Sequence, residues 1–259
     1  MELAVVHINA QRGSEPYTEM ITKVFNKVKR EDTKITHRWA KLKRASDTVF
    51  GYPYLLNSVD VIHNIVDAGR QGADGAMVAC SGDPGITEAR TLVDIPVVGP
   101  WEATLHLASS YAYRFGVVTV EDVAWAETCH SLIAKNGLLD RCVGVERIET
   151  PSAQAFTEGF ANPDFVVADV ERQANRLVDR GAGAIVIGSA GLSTMTAAAG
   201  LTRLKGDIPV FETLSVGLKT LEMRVDLTTK GGLPPTSRAG YTQRLADADT
   251  DRVRGLFGL

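Results

Sequence analysis

Gly72-Ala73-Asp74-Gly75-Ala76-Met77-Val78-Ala79-Cys80-Ser81-Gly82-Asp83-Pro84-Gly85 is a stretch that this chain uses twice. The second, altered copy reads Gly181-Ala182-Gly183-Ala184-Ile185-Val186-Ile187-Gly188-Ser189-Ala190-Gly191-Leu192-Ser193. In both, a Gly-Ala pair stands eight positions before a small nucleophilic residue, Cys80 or Ser189. In both, a glycine follows two places later (Gly82, Gly191), and an Asp-Ile-Pro-Val comes soon after (Asp94–Val97, Asp207–Val210). An internal repeat of this kind implies two similar supersecondary units. The runs Ala76–Ala79 and Ala184–Ile187 are continuously apolar, the mark of a strand covered on both faces. The glycines after each run permit a sharp turn, and helix starts are expected at Pro84–Thr87 and near Ser193. A strand end beside a helix N-terminus is where open α/β sheets hold ligands, because backbone N–H groups there form an anion pocket.

Composition narrows the class. A chain of 259 residues can bury a sizeable core, as one large domain or two intertwined ones. Its net charge of −3 and 23% charged residues provide neither a basic stripe for nucleic acid nor a polybasic membrane patch. No apolar run approaches the roughly 20 residues of a membrane-spanning helix. The N-terminus goes straight into an apolar strand without a basic leader, so no signal peptide is expected. Three cysteines without metal-like spacing fit a reducing compartment and argue against a disulfide framework and a metal site. A cytoplasmic protein with a small-molecule partner is the expectation.

Strands and helices alternate along the whole chain. Strands are expected at Leu3–Ile8, Ile35–Ala40, Ile95–Val98, Phe115–Val120, Val143–Ile148 and Val210-Phe211, besides the two repeat strands. Ser14 is placed to cap a helix with Pro16 early in its first turn. Further helices are expected over Val59–Gln71, Pro100 to about Ser110, Asp122 to about Asn136, Val166–Arg180 and Thr213–Val225, with a short one in the tail. Residues 45–55 read as an irregular, aromatic segment, a packed loop or a substrate lid. The pattern predicts an α/β protein of two pseudo-symmetric lobes, each a short, mainly parallel sheet flanked by helices, with the active site in the cleft between them. Lobe 1 is placed at residues 1–110, joined by the C-terminal segment from about 213 to 259, and lobe 2 at 111–212.

With both turns in view, the chain resembles the aspartate/glutamate racemase superfamily, and most of all its hydantoin racemase branch. The residues that carry the likeness are Ala79–Gly85, Val93–Ala103, Ile187–Gly191 and the tail stretch Pro235–Tyr241. What the resemblance implies is a cofactor-independent enzyme, in which two thiols at facing strand ends act on opposite sides of a carbon α to a carbonyl. One thiolate removes the proton while the other thiol delivers one from behind, and backbone N–H groups hold the enolate oxygen. The substrate it implies is a small molecule with a carboxylate or a ring carbonyl, and a homo-oligomer is expected. A nearby helix N-terminus is expected to lower the pKa of Cys80.

The second family thiol falls on Ser189, whose hydroxyl is a poor general base without an adjacent histidine. Three readings follow: a two-cysteine racemase with one thiol replaced by engineering, a native single-thiol decarboxylase or cis–trans isomerase of the same superfamily, or a remainder that covers a slow one-sided proton exchanger and a small-molecule binder that has lost its chemistry. Racemisation is the leading reading, with Cys80 and Ser189 as the catalytic pair. Asn9, Thr119 and Val120 end strands that point at the same cleft. Ser81, Gly82, Ala190 and Gly191 complete the expected substrate-binding set, with Gly82 and Gly191 offering N–H groups to a ligand oxygen. Cys129 and Cys142 are read as packing residues, and His7 and His106 as structural. Asp83 is expected to orient Cys80 or to cap the helix after it, while Glu102 and Glu212 are read as helix caps.

Overall fold

The two repeat strands become central strands of two separate sheets. A computed structural model describes all 259 residues. In chain order its elements are β1 (Glu2–His7), α1 (Glu15–Val28), β2 (Lys34–Trp39), α2 (Gly51–Arg70), β3 (Gly75–Val78), α3 (Ile86–Arg90), β4 (Val97–Val98), α4 (Pro100–Tyr111) and β5 (Phe115–Thr119). There follow α5 (Val123–Lys135), β6 (Cys142–Arg147), α6 (Ser152–Glu158), α7 (Asp164–Asp179), β7 (Ala184–Ile187), α8 (Ala190–Ala199), β8 (Arg203–Leu204), β9 (Ile208–Phe211), α9 (Thr213–Thr229) and α10 (Asp247–Leu256). The first sheet has the order β2-β1-β3-β4 and the second β6-β5-β7-β9-β8. All pairings are parallel except the short β8–β9 edge. The protein is therefore an α/β fold of two mainly parallel sheets flanked by helices.

Burial explains why the repeat strands lack alternation. Every residue of β3 and of β7 is buried, because helices cover both faces of each sheet. The larger apolar cluster runs through both sheets, from Val6 and Val78 to Val117 and Ile187. A smaller one lies between the first sheet, α1 and α9, where Leu214, Leu218 and Leu221 are wholly buried. Each such leucine contributes about 1.5–3 kcal/mol relative to exposure. Thus α9 packs on β3, β4, α1 and α4, although β9 just before it belongs to the second sheet. Gly217 permits that packing: a Cβ there would lie 2.8 Å from Pro100 Cβ.

Three local expectations are corrected. Residues 45–55 are not irregular: Ala45–Val49 is a 3₁₀ turn, and α2 begins at Gly51 and not at Val59. Pro53 masked this start, yet in the first turn its missing N–H has no intrahelical partner to lose. Ser14 precedes α1, but its hydroxyl donates to the Ala10 carbonyl at 2.9 Å and caps nothing. Finally, α8 begins at Ala190, immediately after Ser189, and not near Ser193.

Candidate active site

Parallel strands present their C-terminal ends on one side, so β1, β3, β5 and β7 deliver Asn9, Cys80, Val120 and Ser189 to one region. These four line a single cavity of about 330 Å³, together with Ser81, Ala190 and Gly191. Cys80 and Ser189, from equivalent points of the two repeats, thus share one space between the sheets. Two expected members lie outside its lining. Gly82 faces a neighbouring hollow bounded by α2 and α3. Thr119 is wholly buried, and its hydroxyl donates to the Gly188 carbonyl at 2.9 Å. A larger cavity, of about 800 Å³, lies under the C-terminal tail and holds no thiol.

The turn after β3 is built around the thiol. The Gly82 N–H donates to Cys80 Sγ at 3.3 Å, and the Tyr54 hydroxyl donates to the Gly82 carbonyl at 2.7 Å. A side chain at position 82 would collide, since its Cβ would sit 2.9 Å from Trp125 and 3.4 Å from Sγ. Asp83 closes the turn in the left-handed region, φ 48°, where a short polar side chain is tolerated. Its carboxylate accepts from the N–H groups of Trp101 at 3.0 Å and Glu102 at 2.7 Å. It therefore caps α4, not the helix α3 that follows it. Glu102 caps nothing and pairs with Arg90 at 3.0 Å, whereas Glu212 caps α9 through Leu214 and Ser215.

The turn after β7 is simpler. Ser189 occupies the N-cap position of α8, yet its hydroxyl makes no capping bond. The N–H groups of Ala190 and Gly191 lie in the first helical turn, where no intrahelical acceptor exists. The Gly188 carbonyl is held by Thr119 and by Trp125 Nε1, the latter at 2.9 Å. Behind both turns runs a buried hydroxyl chain: Ser81 to Thr213 at 3.0 Å, and Thr213 to Ser193 at 2.9 Å.

The electrostatics correct one expectation. Cys80 stands six residues before α3, out of reach of that helix's N-terminus, and burial pushes its thiol up to about 12, with Asp83 adding to the rise and the Gly82 N–H opposing it. The resting group is a thiol, not a thiolate. Burial also raises the carboxyl groups of Asp83 and Glu212 to about 7. No carboxylate lines the cavity, while Lys43 and Arg44 stand at its rim. No three His, Cys, Asp or Glu side chains gather as a metal-ligand set.

The Asp/Glu/Hydantoin racemase family model matches residues 4–221. The chain belongs to this family. It is 32% identical to the hydantoin racemase of Pseudomonas sp. (strain NS671) over 232 residues, 89% of this chain and 88% of that one. Among solved structures, the allantoin racemase from Klebsiella pneumoniae superposes with a TM-score of 0.79 at 28% identity, covering 95% and 94% of the two chains. A double variant of arylmalonate decarboxylase shares the fold, with a TM-score of 0.63 at 16% identity over 93% and 96%.

Within this racemase-family fold, several cavity residues were not legible in the sequence. Tyr17 from α1, Trp125 from α5, and Phe156 and Phe160 from in and just beyond α6 form the apolar wall. Helical spacing marks such residues only as one face of an amphipathic helix, whichever space that face meets. The remaining candidates are bland. Cys129 is wholly buried, its sulfur 3.7 Å from the Gly188 carbonyl. Cys142 is half-buried rather than core. His106 is exposed. Burial and the neighbouring His37 push buried His7 down to about 3, with Nε2 2.8 Å from His37 Nδ1.

Proposed function

We propose that this chain is a cofactor-independent racemase or isomerase acting at an acidic carbon α to a carbonyl, on a hydantoin-type or amino-acid-derived substrate. The observation that carries the reading is the sharing of one cavity by Cys80 and Ser189, each at the end of a repeat strand. The substrate lies between them with its carbonyl toward the first turn of α8, where the free N–H groups of Ala190 and Gly191 hold the oxygen. Binding that oxygen makes the α-proton more acidic and brings the carbon acid toward the high pKa of the buried thiol. Once Cys80 has lost its own proton to solvent, the thiolate takes the proton from the carbon, and the electron pair moves onto the oxygen. Reprotonation from the Ser189 side inverts the centre, whereas reprotonation by Cys80 restores it. A cytoplasmic location and homo-oligomeric assembly belong to the same reading, the first supported by three free cysteines.

Ser189 itself favours a second reading. A hydroxyl is a far weaker acid–base partner than a thiol, so single-thiol decarboxylation or cis–trans isomerisation competes with racemisation. Incubation in D₂O with hydantoins, amino acids and substituted malonates separates the two. The expected result is deuterium at C5 of a hydantoin together with loss of optical rotation. Decarboxylation of a malonate with no racemisation would transfer the assignment to the second reading. A chain that exchanges no α-proton on any of these compounds is not such an enzyme.

A further inference from the structure

The Tyr17 hydroxyl oxygen is buried and makes no hydrogen bond. Its ring lines the same cavity as Cys80 and Ser189. The ring is held from two sides, edge-on to His7 with centroids 5.8 Å apart and tilted on Phe160 at 5.7 Å. The nearby Thr194 hydroxyl donates to the Ala190 carbonyl at 2.7 Å, so toward the phenol it can act only as an acceptor, and its nearness opposes the rise that burial gives the phenol's pKa. A buried phenol without a partner is destabilising, and such groups in folded proteins call for an explanation. Burial, together with the nearness of Cys80 and Glu212, pushes the phenol's pKa further up. Tyr17 therefore stays protonated at any working pH and has a hydrogen bond to donate.

Resting on the carbon-acid reading above, we propose that Tyr17 is a catalytic residue that donates its hydrogen bond to the substrate oxygen on which the enolate charge develops. Its place argues for that oxygen and against a remote one. The ring shares its cavity with Cys80 and Ser189, and α1, which carries it, packs against α8. An oxygen bound there is conjugated to the carbon that Cys80 deprotonates. No carboxylate lines the cavity, so no acidic side chain stands in direct contact with an oxyanion held there. A donor aimed at developing charge strengthens as the reaction proceeds, so it acts on turnover more than on substrate affinity.

The test compares wild type with Tyr17→Phe, which removes one oxygen and keeps the ring. Three quantities are read: deuterium exchange at C5 of 5-benzylhydantoin, binding of the planar analogue 5-benzylidenehydantoin by calorimetry, and Tm. The expected result is a fall in kcat of about 10²–10³-fold, KM within a few-fold, weaker binding of the analogue, and Tm unchanged or raised. Unchanged kcat and unchanged analogue affinity would overturn the role of Tyr17 while leaving the carbon-acid reading intact. A loss of activity matched by a lowered Tm would overturn it too, as a packing effect. A wild-type chain that binds the analogue but exchanges nothing sinks the carbon-acid reading, and the analogue's affinity for Tyr17→Phe then decides the oxygen contact alone. Absence of both binding and exchange in wild type ends both.

Discussion

The Ser81 hydroxyl lies 3.0 Å from the Thr213 hydroxyl, and that contact joins the turn of Cys80 to the start of α9, just after a strand of the other sheet. Thr213 also reaches Ser193 in α8, and all three residues are wholly buried. Thr213→Val would leave Ser81 and Ser193 without this partner, at a cost of about 1–3 kcal/mol. Thermal unfolding should show Tm lower by about 2–10 °C, and Thr213→Ser should recover most of it. Equal stability of the Val and Ser variants would refute the hydroxyl chain as a tie between the two turns.

Cys80 is the residue on which the proposed chemistry depends. Cys80→Ala should abolish exchange at the substrate carbon and leave the far-ultraviolet circular dichroism of the fold unchanged. Because burial holds the thiol protonated, iodoacetamide should label Cys142 ahead of Cys80 at neutral pH. Site-resolved mass spectrometry reads the order, and rapid labelling of Cys80 would contradict the buried, neutral thiol.

Ser189→Cys distinguishes a one-thiol from a two-thiol enzyme. The new sulfur would sit at the N-cap of the ten-residue α8, where the helix dipole favours a thiolate. Racemisation of a 5-substituted hydantoin should rise by about 10²–10⁴-fold, the worth of a positioned acid or base. Optical rotation decay measures it. If no racemisation appears on a substrate the variant demonstrably binds, the racemase reading fails and the single-thiol reading stands.

Two half-buried carboxyl groups give stability a pH dependence. Asp83 and Glu212 have folded pKa values near 7, raised by burial above their ordinary values. A group raised on folding contributes most below its unfolded pKa, and that contribution is lost as pH rises through the folded value. Tm should therefore fall between about pH 6.5 and pH 8. His7 acts the other way: its folded value is depressed, so its contribution is lost as pH drops below its ordinary 6.5. The window above that value isolates the carboxyl groups. Asp83→Asn and Glu212→Gln should each flatten the decline, and a wild-type Tm that climbs with pH across this window would exclude it.

The architecture was legible in the sequence because a buried parallel strand leaves a local mark. Four consecutive apolar residues between glycines mean coverage on both faces wherever the strand ends up. The duplication of that mark pointed to two sheets, and the small residue after each copy pointed to Cys80 and Ser189. Local patterns also misled where one residue had two uses. The segment around Pro53 read as irregular although that proline sits in a first turn, and Ser14 looked like a cap but bonds backward to Ala10.

What only the tertiary structure decided depends on distances between parts remote in sequence. That Asp83 caps α4 and not its neighbour follows from the approach of a turn and a helix 18 residues apart. The protonation of Cys80 follows from its burial, which outweighs any local dipole. Tyr17, Trp125 and Phe156 come from three helices, and spacing can assign each to a buried face but never to a shared cavity. Secondary structure is written in neighbours along the chain. A site is written in neighbours across space, and here it forms only when two sheets bring their strand ends together.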